Sequence, residues 1–303
     1  MSPTIFVVAA TGTIGKALAL DLRKIGWGVH VTVRDPASPA ATELASAGVK
    51  LFPGDWDDEK ALKDGIAGCD GLFLNLMPSF TDWDADIRQG KNIVSIAKAA
   101  GVKHVIYSSG IKGLLKGINP NGLVSKFVSN KKIIEGAVRA AGFEAYTILR
   151  PAAFMANWLA PKVAMYRGLA DTGTFHAVLK PDTVIFSVDE HDVAAFSIAA
   201  FKDPARFNGQ DISVASETHT TEEVLKSLSQ AIGRPIKGNY LSDEEALELA
   251  KTDPLTEGQL ASRQISEHFN MEDVRKWGIP LHSFQEFLER EKASVQETYS
   301  RLL

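Results

Sequence analysis

Short apolar runs alternate with longer amphipathic stretches along the first half of the chain. The runs have the length and β-branched composition of strands, while the stretches between them carry apolar residues at helical spacing. Strands that alternate with helices of this length form βαβ units around a parallel sheet. The pattern therefore predicts an α/β fold, with helices directly after Gly15 and near 37–47, 58–66, 84–100 and 122–141, and with strands near 5–10, 29–33, 49–53, 71–76, 104–108 and 146–149.

The strict alternation ends after Arg150. Residues 152–169 are predicted to be helical, 183–200 to form a strand and then a helix, and 211–215 to add a strand to the sheet. The second half of the chain is expected to be mostly helical, with amphipathic helices at 220–232, 243–250, 257–269 and 283–302.

A glycine turn comes directly after the first predicted strand, in the segment IFVVAATGTIG of residues 5–15. A strand, a turn with Gly12 and Gly15, and a helix are how a Rossmann-type unit presents backbone N–H groups to a dinucleotide pyrophosphate. The first glycine of the motif is replaced, by Ala10 if the pattern is read as GxGxxG and by Ala9 if it is read as GxxGxxG. Glycine turns also simply pack a helix against a strand, so this motif indicates a dinucleotide site only when the neighbouring strand ends carry suitable residues as well.

The domain prediction combines the alternation with this turn. Residues 1–150 are expected to form a Rossmann-type, doubly wound parallel sheet that binds the dinucleotide, with a further strand and helix from about 183–215. Residues 151–182 and 216–303 are expected to form a smaller, mostly helical substrate-binding region.

Arg34 and Asp35 lie at the end of the second predicted strand, where a dinucleotide fold reads the adenosine ribose. An acidic residue there accepts from the 2′-hydroxyl of NAD, whereas an arginine neutralises the 2′-phosphate of NADP. Arg34 comes after the alternating run Val29, Val31, Val33 and should project from the strand end. Asp35 begins a turn before a proline, where aspartate is common for local hydrogen bonding. The pattern favours NADP over NAD, and the alternative is a solvated arginine on a loop.

Composition limits the partners. The chain has 303 residues and a net charge of −4, which gives no support to nucleic acid or an anionic membrane as the main partner. The single cysteine, Cys69, excludes an intrachain disulfide and fits a reducing compartment. No apolar run approaches the ~20 residues of a membrane span, and the histidines show neither HExxH nor i,i+4 pairing. A cytoplasmic protein without a metal site is therefore expected.

The order of motifs resembles the NmrA-like family, an atypical group of short-chain dehydrogenases/reductases that includes isoflavone-reductase-like enzymes. The resemblance spans most of the chain and weakens after about residue 215. Five segments carry it: VVAATGTIG, VTVRDP, PGDWDD, VKHVIYSSG, and the block of residues 130–158 with its RPxxFMxN turn, NKKIIEGAVRAAGFEAYTILRPAAFMANW.

The resemblance implies roles for residues of these segments. The glycine turn would hold the pyrophosphate and Arg34 the 2′-phosphate, while the next strand ends would lie along the adenine, ribose and nicotinamide. An alanine at the first glycine position departs from the family, and its methyl group is expected to crowd the turn and weaken or reposition the cofactor. The implied cofactor-binding residues are Thr11, Gly12, Thr13, Ile14, Gly15, Arg34, Asp55, Trp56, Asn75, Leu76, Met77, Ser108, Lys131, Pro151 and Phe154, and the implied substrate residues are Tyr107, Met155, Asn157 and Trp158.

The catalytic group is predicted to be a lysine. No tyrosine has a lysine four residues later, so the Tyr-x-x-x-Lys pair of ordinary short-chain dehydrogenases is absent. Reductases of the NmrA-like group often use a lone lysine on the helix before the YTILRP-type strand. Helical spacing places Lys131 about 60° from the apolar Ile134 and Lys132 about 160° away, toward solvent. Lys131 is therefore the predicted proton donor or oxyanion stabiliser, with Ser109 a second candidate; the alternative for Lys131 is an ordinary ion pair with Glu135.

Together these features predict an NADPH-dependent reductase that transfers hydride to a small carbonyl, imine or activated alkene. The alternative is a redox-sensing regulator that binds NAD(P) and acts through a protein partner without turnover. The altered glycine motif and the missing Tyr-x-x-x-Lys favour the regulator, while Lys131 and the apolar segment RPAAFMANW favour the enzyme. The glycine-rich stretch 110–122 is long for a strand–helix connection and is predicted to cover a substrate.

Overall fold

The structure, a computed structural model, describes residues 2–79, 81–110, 118–267 and 269–302. Its strands are β1 Thr4–Val7, β2 Gly28–Val33, β3 Lys50–Pro53, β4 Gly71–Leu74, β5 His104–Ser108, β6 Ala145–Pro151, β7 Ala153–Phe154, β8 Thr174–Ala177, β9 Val184–Val188, β10 Gln210–Val214, β11 Glu217–Thr220 and β12 Lys237–Tyr240. Its α-helices are α1 Thr13–Lys24, α2 Pro39–Ser46, α3 Glu59–Ile66, α4 Ala85–Ala99, α5 Leu123–Ala140, α6 Leu169–Thr172, α7 Glu190–Lys202, α8 Pro204–Phe207, α9 Thr221–Ile232, α10 Asp243–Ala250, α11 Pro254–Ser262, α12 Met271–Arg275, α13 Phe284–Arg290 and α14 Lys292–Thr298.

Seven parallel strands form the main sheet, in the order β10-β6-β5-β4-β1-β2-β3. The chain begins at the centre with β1, winds outward through β2 and β3, and returns to β4 on the other side. The direction of winding thus reverses between β1 and β4, and ligands of doubly wound sheets bind at this point, beyond the carboxyl ends of the strands. The predicted α/β fold is confirmed, and β10 joins the sheet beside β6 as the pattern near 211–215 indicated.

Contacts within the chain define two units. The first comprises the described residues within 1–111, 127–151 and 193–214, and it contains the seven-stranded sheet. The second comprises the described residues within 112–126, 152–192 and 215–303. It contains a three-stranded sheet, β11-β9-β7, and the parallel pair β12-β8.

Each unit has its own hydrophobic core. In the first, the apolar faces of α4 and α5 pack on β4 and β5 through residues such as Ile93, Ile134 and Val105. In the second, α9, α13 and α14 bury Leu228, Phe287 and Val295. Burying a side chain of this size stabilises a fold by about 1.5–3 kcal/mol, so each core is a substantial contribution.

Capping chemistry sets the starts of the second unit's longer helices. Thr220, Ser242 and Ser283 each accept from the backbone N–H three residues on, and a glutamate at that position returns to the cap residue. These capping boxes satisfy backbone donors that a helix start leaves free. They account for the helix starts near 220, 243 and 283 that the sequence pattern predicted.

The predicted helix over 152–169 is wrong. The chain instead forms β7 and two 3₁₀ turns, Met155–Trp158 and Lys162–Met165. Pro161 supplies no N–H for a continuous helix, and the apolar residues that resembled a helical stripe pack into the second core from irregular backbone.

Smaller differences concern helix bounds. The predicted helix over 283–302 is divided at Glu291 into α13 and α14, because the Glu291 backbone leaves helical geometry. The helix predicted over 257–269 begins earlier, at Pro254, where the Asp253 side chain caps it. Strands β8, β11 and β12 were not predicted, since each is only four residues long. Among the described residues, no helix is both long and apolar enough to cross a membrane.

Candidate functional site

The glycine turn after β1 is closed by contacts that require glycine. Gly12 N–H donates to Ala9 O at 2.9 Å. A Cβ placed on Gly15 would lie 2.3 Å from Ala9 O, closer than any side chain tolerates. Ala9 itself has a φ of +59°, the only positive φ among the described non-glycine residues. The motif is therefore the GxxGxxG form, with alanine at the position where the backbone is left-handed.

The Ala9 methyl group has a place to pack. It contacts the hydrophobic core of the first unit, so the turn closes with the methyl in position. A left-handed backbone costs an alanine roughly 1–2 kcal/mol, and the surrounding contacts hold it there. The expected weakening of cofactor binding stays a prediction.

The N-terminus of α1 is open to an anion. Gly12 is the N-cap, no side chain caps the helix, and its first turn carries no acidic residue. Thr11 and Gly12 are exposed, whereas Ile14 and Gly15 are buried beneath them. Free backbone donors and the positive end of the helix dipole together favour a phosphate at this position.

Arg34 and Asp35 differ in how the structure uses them. Arg34 is exposed directly after β2 and has no hydrogen-bond or ion-pair partner among the described residues. Asp35 Oδ1 accepts from Ala37 N–H at 2.9 Å, and its carbonyl oxygen accepts from the Ser38 hydroxyl at 2.8 Å. The aspartate thus serves its own turn, as the sequence suggested, while the guanidinium remains available for an anion.

The strand ends on either side of the turn carry further predicted residues. Asp55, after β3, accepts from the N–H groups of Asp57 and Asp58 in a local turn, and the half-buried Trp56 packs on the first core. After β4, Asn75 is half-buried and Met77 is 63% exposed. Leu76 is buried in the core, so its backbone is the part left for a ligand.

The end of β5 brings Tyr107, Ser108 and Ser109 beside Lys131 of α5. All three of these residues at the strand end are buried. The Lys131 ammonium lies 5.8 Å from the centre of the Tyr107 ring, and its side-chain stem passes Gly110, where a Cβ would be 3.1 Å from Lys131 Cδ. Gly110 therefore gives the lysine its path toward the strand end.

Lys131 is half-buried and carries its charge without a close counterion. Among the described residues, no carboxylate oxygen lies within ion-pair distance of its ammonium. Burial lowers the pKa of Lys131 to about 8, with the charges of Asp86 and Glu135 acting in the opposite direction. Lys132 is exposed, as helical spacing predicted. A lysine that exchanges a proton near neutral pH is suited to general acid catalysis.

Tyr107 is buried and packs in the core of the first unit. Its side chain is completely inaccessible, and Tyr107 Oη has no hydrogen-bond partner among the described residues. Burial raises the pKa of Tyr107 far above its ordinary value, so the phenol stays neutral. Its assignment as a substrate residue stays a prediction.

A charged cluster behind Lys131 was not predicted from the sequence. Arg150 donates to both oxygens of Glu135, at 2.7 and 2.8 Å, and to Asp211 at 2.9 Å. Ser109 Oγ donates to Glu135 Oε1 at 2.5 Å, and Arg139 also pairs with Asp211. The available signal was Arg150 itself, a charged residue within the apolar strand TILRP, which the sheet buries and which therefore needs a carboxylate.

The RPxxFMxN turn divides between the two units. Pro151 ends β6 in the first unit, while Phe154, Met155, Asn157 and Trp158 belong to the second. Met155 is buried in the second core, and Trp158 stacks on Tyr166 with ring centres 4.5 Å apart. Asn157 is half-buried.

Trp158 also lines a pocket within the second unit. Trp158 and Tyr166 line it with Phe186, and Gln259 and Ser262 add polar groups. Its volume is about 60 Å³, below the roughly 300–1,000 Å³ of most small-molecule sites, so this pocket does not by itself indicate a substrate site. Of the stretch 110–122, residues 111–117 lie outside the described residues, so its predicted role as a cover stays a prediction.

The sequence places this fold and site in a family. The model of the NmrA-like family matches residues 1–279, so the chain belongs to the NmrA-like family. It is 29% identical over 245 residues to an NAD(P)H azoreductase of Xenophilus azovorans, covering 80% of this chain and 78% of that protein. It is 26% identical over 257 residues to quinone oxidoreductase 2 of Escherichia coli K12, covering 84% and 83%.

A solved structure matches the whole fold. The negative transcriptional regulator NmrA, in complex with NADP, superposes with a TM-score of 0.76 at 23% identity and covers 100% of this chain and 98% of that chain. At this identity the likeness establishes the fold.

Proposed function

We propose that this protein is an NADPH-dependent reductase of a small organic substrate: a carbonyl, an imine or an activated alkene. The observation that carries the proposal is the unpaired, half-buried Lys131 ammonium at the same sheet edge as the uncapped α1 N-terminus. A group that binds phosphate and a group that delivers a proton are the two parts that reduction by a nicotinamide cofactor requires.

The order of groups along this edge is the order of groups along NADP. Neighbouring strands in the sheet run β2, β1, β4, β5. They are followed in turn by Arg34, by the glycine turn, by Asn75 and by Ser109, and Lys131 of α5 lies near the end of β5. These positions suit the 2′-phosphate, the pyrophosphate, the ribose and the nicotinamide respectively.

Two features of the residues themselves fit this cofactor. Only glycine is accommodated at Gly15, so α1 packs closely against the turn that would hold a pyrophosphate. Arg34 is free to pair with a 2′-phosphate, while Asp35 is engaged in its own turn. When bound, NADPH supplies the hydride.

The chain's own residues would manage the proton. Lys131 Nζ would hold a proton and donate it to the oxygen or nitrogen on which negative charge develops. The Ser109 hydroxyl gives its hydrogen to Glu135 and thereby turns acceptor lone pairs to the site. Ser108 and Pro151, at the ends of β5 and β6, would flank the nicotinamide.

Family members support reduction as the type of reaction. The azoreductase and the quinone oxidoreductase are named for electron-poor, planar substrates, and the NmrA structure contains NADP. A panel that includes quinones and azo dyes is therefore the right starting set of substrates.

A likeness of fold supports the regulator alternative, beside the altered glycine motif and the missing Tyr-x-x-x-Lys. The fold is shared with NmrA, which is a transcriptional regulator, and a shared fold does not decide function. A regulator would bind the dinucleotide and change its affinity for a protein partner without oxidising NADPH.

Turnover separates the two functions. We expect the purified protein to oxidise NADPH in the presence of at least one member of a panel of quinones, azo dyes, imines, aldehydes and enones. We also expect NADPH to bind more tightly than NADH, with this preference lost in Arg34→Ala. Tight NADPH binding without any turnover across the panel would favour the regulator, and equal binding of both dinucleotides would contradict the role of Arg34.

A further inference from the structure

Lys131 and Glu135 stand at i,i+4 on α5, the spacing at which a lysine and a glutamate normally pair. In this protein they do not. Glu135 is buried, and its carboxylate contacts are with Ser109, Arg150 and, at 4.0 Å, Arg139. Glu135 thus lies one helical turn from Lys131, but its carboxylate is bonded to Ser109 and Arg150.

The hydrogen bonds of Arg150 keep Glu135 away from Lys131. Its guanidinium grips both oxygens of Glu135, and it also donates to Asp211 at 2.9 Å and to Gly110 O at 2.9 Å. Only about 6% of its side chain is exposed. A bidentate arginine–carboxylate pair is directional and stronger than a single ammonium contact, so Arg150 outcompetes Lys131 for Glu135.

We propose that Arg150 is a positioning residue that withholds Glu135 from Lys131 and so leaves the lysine amine without a carboxylate partner. Arg150 acts through Glu135 and not by touching the substrate. The inference rests on the proposed function in one respect, that Lys131 is the group whose proton matters.

Several charged groups face Lys131 and set its proton affinity together. Asp86 of α4 and Glu135 of α5 raise the pKa of Lys131, whereas burial against β5 lowers it and dominates. Asp86 is itself bonded to the Asn130 amide at 2.8 Å, and the Tyr107 phenol is neutral. Because both nearby carboxylates have other partners, neither neutralises the ammonium by direct contact.

The positions of the two remaining charges support this balance. Asp211 of β10 is shared by Arg150 and Arg139, so the first unit pairs two buried or half-buried carboxylates with two arginines behind the site. The pKa of Asp211 is lowered by these arginines despite its partial burial. The two arginines balance Glu135 and Asp211, so neither carboxylate depends on Lys131 for a counterion.

The Arg150–Glu135 contact also determines the orientation of the Ser109 hydroxyl. This hydroxyl donates to Glu135 Oε1, so its hydrogen is engaged and the oxygen can only accept from other groups. If Glu135 turned toward Lys131, Ser109 would lose this partner and its hydroxyl would be free to rotate. Arg150 thus positions both candidate catalytic groups through one carboxylate.

The test measures the pKa of Lys131 in cofactor-free protein. Trace labelling by an amine-selective acylating reagent over a pH series, read by peptide mass spectrometry, gives the pKa of Lys131, with exposed Lys132 as the internal reference. We expect Arg150→Gln to release Glu135 and raise the Lys131 pKa by about one unit, a tenfold change in free amine. We expect Glu135→Gln to lower it, because a raising charge is removed.

The double variant tests whether Arg150 affects the pKa of Lys131 through Glu135. In Arg150→Gln combined with Glu135→Gln, we expect the increase to vanish and the Lys131 pKa to equal that of Glu135→Gln alone. An unchanged pKa in Glu135→Gln, which preserves the shape of the cluster and should fold, would overturn the proposal. So would an increase that persists in the double variant.

Turnover is not needed for this readout, so the two proposals fail separately. Expected labelling shifts in a protein that never oxidises NADPH would sustain the positioning role and remove the reductase function. Normal turnover with a Lys131 pKa indifferent to Glu135 would do the opposite.

Discussion

Each unit of this protein buries carboxylates held by an arginine, and the two clusters differ in the groups beside them. In the first unit, Arg150 grips Glu135, and the neighbouring Lys131 is left without a counterion. In the second, Arg290 bonds to both oxygens of the fully buried Asp189, at 2.7 and 3.2 Å. Arg290 also contacts Glu190 at 3.4 Å and Glu291 at 3.2 Å, so one arginine serves several carboxylates there. Burial lowers the pKa of the nearby Lys162, and the charge of Glu190 acts in the opposite direction.

Another buried carboxylate of the second unit, Asp192, is also hydrogen-bonded. Asp192 accepts from the Ser216 hydroxyl, from His282 N–H at 3.0 Å and from His282 Nδ1 at 2.6 Å. A serine therefore donates to a buried carboxylate in both units, Ser109 to Glu135 and Ser216 to Asp192. The serine–carboxylate contact alone does not indicate a functional site.

The contrast between the clusters shows where chemistry is to be sought. A buried charge that is paired and hydrogen-bonded chiefly maintains a fold, whereas one left unpaired with a shifted pKa marks a candidate functional group. On that basis we expect Lys131 to act in function and the Arg290–Asp189 pair to act in stability.

The largest expected effect is on stability in the second unit. Arg290→Met leaves Asp189 buried without its partner, and breaking such a pair costs about 3–5 kcal/mol. Urea unfolding measures the loss, with Arg301→Met as the matched control, because Arg301 pairs with Asp171 at an exposed site. That control should change stability by less than about 1 kcal/mol; equal losses in both variants would refute the distinction.

The next effect is in the glycine turn of the first unit. Gly15→Ala places a methyl group against Ala9 O, and overpacking of this kind costs about 1–3 kcal/mol. Dinucleotide titration should show little NADPH binding at concentrations that saturate the wild type. Gly136→Ala is the control, since a Cβ there meets no atom within 4 Å. NADPH binding by Gly15→Ala at the wild-type level would contradict the close approach.

Lys131→Met should make the protein more stable at neutral pH. The pKa of Lys131 is about 8 in the fold against an ordinary 10.5, so the folded state binds this proton less readily than the unfolded chain. The resulting penalty is complete below about pH 8 and is relieved as pH rises toward 10.5. One pKa unit corresponds to about 1.4 kcal/mol, and partial exposure reduces the total, so we expect a gain on the order of 1–3 kcal/mol.

The pH dependence distinguishes this effect from better packing. The advantage of Lys131→Met in urea unfolding should shrink between pH 8 and 10.5, while the matched variant Lys132→Met should show no such trend. A gain independent of pH would mean that the ammonium is not the cause.

The smallest effect is expected at Ala9. Ala9→Gly removes the cost of a left-handed alanine, roughly 1–2 kcal/mol, but adds backbone entropy to the unfolded chain, about 0.5–1 kcal/mol. Thermal unfolding should show a net gain below about 1 kcal/mol. A large loss of stability would show that methyl packing outweighs backbone strain.

The sequence was sufficient for the sheet and for the identity of the glycine turn, because period-two strands and glycine spacing are local signals. The position of Lys131 could also be predicted, since helical geometry places it at the edge of the apolar stripe while Lys132 points outward. The irregular backbone of residues 152–169 was wrongly predicted to be a helix, because apolar residues in irregular structure leave the same sequence pattern as a helix.

The Arg150 cluster could not be derived from sequence for a different reason. Glu135, Arg150 and Asp211 are separated along the chain and meet only when β6 lies between β5 and β10. The i,i+4 rule pairs Glu135 with Lys131, and a tertiary contact of stronger geometry overrides it. Helical spacing therefore distinguished Lys131 from Lys132 once the family resemblance pointed to a lysine, and it missed the residues that we propose position Lys131.

The functional contrast between Lys131 and Arg290 can be measured in a single experiment. The single-turnover rate of NADPH oxidation, with a substrate that the wild type reduces, is compared in wild type, Lys131→Met and Arg290→Met at a temperature where all three are folded. We expect a rate for Lys131→Met lower by about 100-fold or more, the usual contribution of a general acid, and a wild-type rate for Arg290→Met. A wild-type rate for Lys131→Met would contradict the catalytic role of the lysine.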